Sequence, residues 1–174
     1  MNLQENIRRI LREEIIQSNQ INVYHVSIEP ITNIDNRFLN KQTPRDKPEG
    51  IWFTYEPNKW EDYFYSGNFK NFYKYKLTIN NSNFLLLDTI EKINEFNEKY
   101  KSDKPLFNES YSIIWTAPDW IQVKMEYDGV EFPNFEKLKN DIDMSDVKNH
   151  WLTFIDVNSG CVWNNNSIKN IEEI

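Results

Sequence analysis

His25 is the residue whose type and position are most suited to chemistry. It lies inside the apolar stretch VYHVS, and the hydroxyl of Ser27 follows two residues later. In a strand, side chains two residues apart point to the same face, so His25 and Ser27 would lie together, opposite Tyr24 and Val26. A neutral imidazole beside a hydroxyl can hold a ribose diol or an amide. The alternative is a structural histidine that is hydrogen-bonded inside the core.

A second unusual feature is the density of aromatic rings in EGIWFTYEPNKWEDYFY, residues 49–65. A glycine leads the apolar run GIWFT, and a turn with a proline precedes a short amphipathic stretch that carries Trp60, Tyr63 and Phe64. This strand-to-helix corner is either an aromatic part of the core or a slot for a flat ligand, because aromatic rings stack on planar groups.

Other kinds of site are disfavoured by the composition. The histidines, His25 and His150, and the single cysteine, Cys161, have no ligand spacing, so no metal site is predicted. Four scattered glycines cannot form a phosphate-binding loop. A Cys-His nucleophile pair is formally available, but Cys161 in its apolar stretch is expected to be a small buried hydrophobe.

Length and charge limit the class of protein. The 174 residues are enough for one domain with a sizeable core, and 15% of them are aromatic. A net charge of −7 disfavours duplex nucleic acid as a partner, although one or two local donors could hold the phosphate of a small ligand. The single cysteine fits a reducing compartment, and no apolar run has the length of a membrane span. We therefore expect a soluble cytoplasmic protein without a membrane partner.

The hydrophobic pattern predicts several short strands and few helices, which is typical of an α+β domain. Strands are predicted in INVYHVSIEPI, GIWFT, NFYKYKLTI, FLLLDT, YDGVEF, WLTFIDV and CVWN. Helices are predicted in NKWEDYFYSG, in TIEKINEFNEKY with Thr89 as its N-cap, and near Trp120. Residues 31–49 and much of 101–125 are predicted to be irregular. Residues 1–20 form a predicted amphipathic helix ahead of a domain at 21–174.

The stretches VYHVS, GIWFT and NKWEDYF, in that order, resemble the ADP-ribosyltransferase superfamily, in particular its His-Tyr-Glu branch. That branch includes the diphtheria-toxin-like enzymes and the poly(ADP-ribose) polymerases. It begins with a strand ending in Tyr-His-x-Ser/Thr, continues with Gly-apolar-aromatic-Phe, and then has a short helix in the style Lys-Ser-x-x-Tyr. KYKLTINNSNFLLLDT is similar to the family's central strands, and YDGVEF with the later VWNNNSIKNI is similar to phage-encoded and polyvalent-protein members.

The resemblance implies a split β-sheet with flanking short helices and an enzyme that transfers ADP-ribose from NAD to a macromolecule, expected to be a protein. His25 would orient the ribose and carboxamide of NAD. Tyr63 would stack on the nicotinamide ring, with Tyr55 or Tyr65 as the opposite wall. The other residues expected at the NAD site are Ser27, Trp52, Thr54 and Ser159.

One departure from the branch concerns its third residue, usually a glutamate just ahead of the last core strand. Asp156 is the nearest carboxylate, beside the short turn predicted between WLTFIDV and CVW. Glu131 in DGVEF is a second candidate. The resemblance implies that such a carboxylate hydrogen-bonds the ribose and stabilises an oxocarbenium-like transition state.

Two other functions are open. An RNA 2′-phosphotransferase on a related fold would need a basic RNA surface, which this acidic chain lacks. A non-catalytic binding module, such as a virion or anti-defence protein, is favoured by the absent glutamate.

The N-terminal helix raises a separate hypothesis. Its triplet Leu11-Arg12-Glu13 resembles the cleaved capsid-targeting peptides of proteins packaged in T4-like phage heads. That resemblance implies a virion protein delivered to the host cytoplasm, with a mature chain that begins at Glu14. The alternative is an ordinary amphipathic helix docked on the domain.

Overall fold

In the parts of the chain that the structure describes, seven strands form the main sheet and two further strands pair with each other. The computed structural model describes residues 4, 19–31, 47–60, 72–108 and 113–174. The strands are β1 (Gln20–Ser27), β2 (Ile51–Thr54), β3 (Tyr73–Asn80), β4 (Phe84–Leu86), β5 (Lys101–Asn108), β6 (Ile113–Pro118), β7 (Gly129–Phe132), β8 (Ser159–Val162) and β9 (Ile168–Glu173). The helices are α1 (Ile90–Lys99), α2 (Trp120–Glu126) and α3 (Phe135–Leu138), with short 3-10 helices at His150–Phe154 and Asn165–Ser167. The predicted α+β class is confirmed.

One pair of neighbouring strands in the main sheet is joined by fewer residues than the others. Its strand order is β4-β7-β8-β2-β1-β3-β9, and every neighbouring pair is antiparallel except β4 and β7. β1 pairs with β3 along its whole length, whereas a single residue pair, Tyr24 opposite Thr54, joins β1 to β2. We call β4-β7-β8-β2, on one side of this short pairing, the four-stranded half, and β1-β3-β9 the three-stranded half.

One face of the four-stranded half packs against the helices, and we call it the helix face. Val130, Phe132 and Cys161 point from the strands into this core, where Trp151 is fully buried. The Trp151 ring lies 5.4 Å from that of Phe96 and 6.1 Å from that of Phe132. Large aromatic side chains contribute most of the buried apolar area here, and this burial stabilises the half that carries β2 and β7.

The opposite face carries His25, and we call it the His25 face. Tyr75 on β3 lies opposite His25, and antiparallel register from the single β1–β2 pair places Phe53 on its other side. Gly160 on β8 follows Phe53, and Glu131 on β7 follows Gly160. These five residues form one row across the sheet. The apolar residues buried around this row are Val23, Ile51, Leu77, Ile79 and Val162.

Most of the predicted elements that fall on described residues are confirmed. β1, β2, β3, β4, β7 and β8 lie within the stretches predicted as strands or overlap them, and α2 begins at Trp120. The hydroxyl of Thr89 accepts from the backbone N–H of Lys92 at 3.3 Å, so Thr89 is the N-cap of α1. The predicted N-terminal helix, apart from residues 4, 19 and 20, and residues 61–67 of the predicted helix NKWEDYFYSG lie outside the described residues.

Two predictions of secondary structure are wrong. WLTFIDV is not a strand, because its first four residues belong to a 3-10 helix. Trp151 and Leu152 are both fully buried, and a strand would point two consecutive side chains to opposite faces. Residues 101–108 and 113–118, predicted to be irregular, form the paired strands β5 and β6, in which the register shifts between Lys101 and Pro105. This irregularity interrupts the alternation by which strands are predicted.

No helix among the described parts of the chain is both long and apolar enough to cross a membrane.

Gly160→Ala is expected to destabilise the fold by about 1–3 kcal/mol, the usual range for overpacking. Its new Cβ would lie 2.3 Å from Cζ of Phe53 and 2.7 Å from the carbonyl oxygen of Val130. Urea unfolding measures this loss. Asn170→Ala, on the exposed surface of β9, is the control and should stay within about 0.5 kcal/mol of wild type. Equal stability of the two variants would contradict the packing of Phe53 over Gly160.

Candidate functional site

A side-chain hydrogen bond from His25 crosses the boundary between the two halves of the sheet. Its Nδ1 lies 2.6 Å from the carbonyl oxygen of Trp52. Because a carbonyl only accepts, Nδ1 carries the proton and donates it. β1 and β2 share one backbone pair, so this bond, which we call the His25 tie, provides a link that the backbone ladder does not.

The His25 tie leaves the other ring nitrogen available for chemistry. Burial lowers the pKa of His25, and the hydrogen bond to Trp52 opposes this only in part. The imidazole is therefore neutral near pH 7, with Nδ1 protonated and a lone pair on Nε2. The Tyr75 ring stacks beside it at 6.4 Å with planes 28° apart, which limits rotation of the imidazole. Nε2 can accept a hydrogen bond from a hydroxyl or an amide N–H.

Ser27 lies on the same face as His25, as the alternation in VYHVS predicts. Its Oγ accepts from the backbone N–H of Glu29 at 3.2 Å, so the hydroxyl proton can still be donated elsewhere. The hydroxyl of Tyr75 accepts from the backbone N–H of Ile31 at 2.9 Å. The residues that follow β1 are therefore held beside the His25 face.

A second group of hydrogen bonds on this face converges on Glu131. The hydroxyl of Tyr55 donates to Oε2 of Glu131 at 2.6 Å, and Nδ2 of Asn81 donates to Oε1 at 2.8 Å. Asn81 lies in the turn that connects β3 of the three-stranded half to β4 of the other half, and Glu131 belongs to β7, which pairs with β4. We call this group the Glu131 tie. Glu131 is only 6% exposed, so a buried carboxylate with two donors lies on the His25 face.

The environment of Tyr55 keeps its phenol protonated. Burial raises the pKa of Tyr55 well above its ordinary value, and the charge of Glu131 and the hydrogen bond to it raise it further. Tyr55 therefore donates to Glu131 throughout the physiological pH range.

Three of the residues predicted at the NAD site point away from His25. Strand alternation places Trp52, Thr54 and Ser159 on the helix face. Their polar groups donate to nearby backbone carbonyls. The indole N–H of Trp52 donates to Pro48 at 3.1 Å. The hydroxyl of Thr54 donates to residue 56 at 2.7 Å, and that of Ser159 donates to residue 157 at 2.9 Å. The structure thus brings His25, Ser27 and Tyr55 to one face and these three residues to the other. Tyr63 and Tyr65 lie outside the described residues.

The two candidate carboxylates also differ in position. Asp156 is exposed and lies between a 3-10 helix and β8. It is therefore not beside a turn between two strands, which was the reason for proposing it as the carboxylate. Its charge acts on Lys47, whose pKa is lowered by burial and partly restored by Asp156. Nζ of Lys47 lies 5.1 Å from the ring centroid of Trp52, on the helix-face side. Glu131, in contrast, lies on the His25 face, in the same row as His25.

Asn81 and Tyr75 are the residues of this region that sequence reasoning missed. Tyr75 alternates with Leu77 and Ile79, so periodicity places it on an apolar face, but not beside a particular histidine. Asn81 belongs to the turn NNSN and has no local sign of its contact with Glu131, because that contact joins residues fifty positions apart.

Cys161 is fully buried, as predicted, and burial raises the pKa of its thiol. His150 packs against the ring of Trp115 at 4.9 Å. Within the ranges that the structure describes, no group of three or more His, Cys, Asp and Glu side chains is placed to hold a metal ion.

No protein-family model matches the chain, and neither a curated protein nor a solved structure matches it.

Tyr55→Phe is expected to lower the free energy of unfolding at neutral pH by about 1.5–3 kcal/mol, because a hydrogen bond to a carboxylate is lost. The pKa of Tyr55 is raised above the unfolded value of about 10. The stability that the phenol contributes is therefore complete below about pH 10 and falls above it by about 1.4 kcal/mol per pH unit. Urea unfolding of both proteins at increasing pH measures the difference, which should shrink above pH 10. A difference independent of pH would contradict the burial of this phenol.

Proposed function

We propose that the protein is an NAD-dependent ADP-ribosyltransferase that modifies a macromolecular target, expected to be a protein. The observation that supports this most directly is the single residue pair that joins β1 to β2, with His25 beside it. A split sheet with a histidine on its first strand is what the resemblance of VYHVS and GIWFT to the His-Tyr-Glu branch implies. The proposed NAD site is the His25 face along this boundary.

His25 would bind NAD through Nε2. Because Nδ1 donates to Trp52 and Tyr75 stacks on the ring, the imidazole is already held in one tautomer and one orientation. It would accept a hydrogen bond from a ribose hydroxyl or from the carboxamide N–H of nicotinamide. A side chain fixed on a strand holds a ligand with less loss of conformational freedom than one on a loop.

Glu131 is the carboxylate that the geometry favours for the transition state. It shares a face with His25 and lies three strands away from it, a path of roughly 14 Å along the sheet at about 4.8 Å per strand. Both side chains would act on the nicotinamide riboside, His25 at the carboxamide or a ribose hydroxyl and Glu131 at the ribose that loses nicotinamide. A fixed negative charge stabilises the cation that develops on the ribose when the bond to nicotinamide breaks. Tyr55 and Asn81 would act as positioning residues for this carboxylate.

A non-catalytic NAD-binding protein is the second candidate. Both oxygens of Glu131 already accept internal hydrogen bonds, and Phe53 lies between Glu131 and His25 in the row. Such an arrangement suits a carboxylate with a structural role. Binding of NAD without release of nicotinamide would distinguish this candidate from the enzyme.

The proposal is tested by incubating the protein with NAD labelled in its adenylate part and a cell lysate. An ADP-ribosyltransferase transfers the label to a macromolecule and releases nicotinamide. If no label is transferred and calorimetry detects no binding of NAD, both the proposal and its alternative are refuted.

His25→Asn separates the structural role of His25 from its proposed role in binding. Nδ2 of Asn occupies nearly the place of Nδ1, so the bond to Trp52 is kept while the acceptor at Nε2 is lost. We expect wild-type stability and a decrease in kcat/KM of at most about tenfold, because one hydrogen bond is worth about 0.5–1.5 kcal/mol. His25→Ala should lose activity and also about 1–3 kcal/mol of stability, since the Trp52 carbonyl is left unpaired. Full activity of His25→Asn would contradict the proposed role of Nε2.

Glu131→Gln compared with Asp156→Asn tests the assignment of the carboxylate. Gln can donate to Tyr55 and accept from Asn81, so the fold should be kept while the charge is removed. We expect kcat to fall by roughly a hundredfold or more, as for loss of one electrostatic stabiliser, with little change in NAD affinity. Asp156→Asn, at an exposed position, should retain wild-type turnover. The reverse result would move the role to Asp156, and wild-type turnover in both variants would remove it from either residue.

A further inference from the structure

A groove of about 370 Å³ runs beside β4, the edge strand of the main sheet. One wall is formed by residues 84–87, and the other by Lys92, Glu95, Phe96 and Lys99 of α1. The helix residues recur at spacings of three and four, so one side of α1 faces the groove. Tyr100 and Tyr127 complete the lining. We call this feature the β4 groove.

The outer edge of β4 carries backbone groups suited to pairing. On its inner side the N–H of Leu87 donates to Glu131 at 2.9 Å, and the carbonyl of Asn83 accepts from Asp128 at 3.0 Å. Because backbone groups alternate along a strand, the N–H and C=O of Leu86 point to the outer side. No strand in the described part of the chain pairs with that side, and Leu86 is 39% exposed. An open edge of this kind can accept another strand.

The charges around the β4 groove indicate what could occupy it. Lys92 pairs with Asp88 at 2.7 Å, and Lys99 pairs with Glu126 at 2.6 Å, so both cations are neutralised. Glu95 lies between them on the same side of α1, and no residue in the described ranges forms an ion pair with it. The groove therefore combines apolar walls, an open strand edge and one uncompensated negative charge.

We propose that the β4 groove binds an extended segment of a partner protein, which pairs with Leu86 as an added strand and places a Lys or Arg side chain against Glu95. In such strand addition, backbone hydrogen bonds supply affinity and the pockets beside the strand supply specificity. The inference does not depend on NAD binding, because none of the groove residues belongs to the proposed NAD site.

A displayed library of random peptides, selected on the full chain, tests this inference. We expect enriched peptides with apolar residues around a Lys or Arg. The affinity of one synthesised peptide is then measured for wild type, Leu86→Pro and Leu86→Ala. Proline removes the outward N–H and is tolerated on an edge strand, whereas alanine keeps the N–H. Leu86→Pro should bind about tenfold more weakly than Leu86→Ala, as loss of a backbone hydrogen bond implies.

Several results would overturn the inference. The first is the absence of any enriched peptide, and the second is equal affinity of the Leu86→Pro and Leu86→Ala proteins. The third is a wild-type dimer that Leu86→Pro abolishes, because such a dimer would identify a second copy as the occupant. Glu95→Gln, at an exposed helical position, keeps the inference testable if Leu86→Pro does not fold. This substitution should weaken binding of the cationic peptide and reduce the dependence of the peptide's affinity on salt. Unchanged binding would refute the role of Glu95.

Discussion

The hydrogen bond from Nδ1 of His25 to the carbonyl of Trp52 is the contact on which the arrangement of the candidate site depends. β1 and β2 form one backbone pair, so side chains set how the two halves of the sheet meet. The His25 tie acts beside that pair, and the Glu131 tie joins Tyr55 and the turn between β3 and β4 to β7. The polar groups of this face therefore have a structural role and a proposed binding role. Those that join the halves are also those that a ligand along the boundary would contact.

The four-stranded half supplies a firm base for this boundary. Besides the aromatic core, a buried polar chain fixes α1, since the indole N–H of Trp151 donates to Asn97 at 2.8 Å and Asn97 donates to Asn149 at 2.8 Å. Buried networks with all members satisfied hold one geometry, because breaking any link leaves an unpaired polar group. Glu131 and Trp52 are therefore presented from a rigid element, as a precise site requires.

Local periodicity predicts the elements that carry the site, but not how they are combined. The alternation in VYHVS is sufficient to place His25 and Ser27 on one face, and Thr89 marks the start of α1 correctly. The order of the strands is a non-local property, and with it the row that joins His25 to Glu131 could not be predicted. The same limit explains why the sequence analysis predicts Trp52 and Thr54 at one site with His25. The register between two strands decides which residue of β2 faces His25, and that register is not visible in the sequence.

The position of β8 within the main sheet has a consequence for how the protein acquires its site. β8 comes from residues 159–162, yet it lies between β7 and β2 and is the strand that joins them. Until β8 is in place, β2 with its tie to His25 and β7 with Glu131 belong to separate pieces of structure. Pairings between segments so far apart in the chain form slowly, because a long loop must close before any contact rewards it. A partly folded chain therefore has no assembled site, and ligand binding reports completion of the whole sheet rather than of either half.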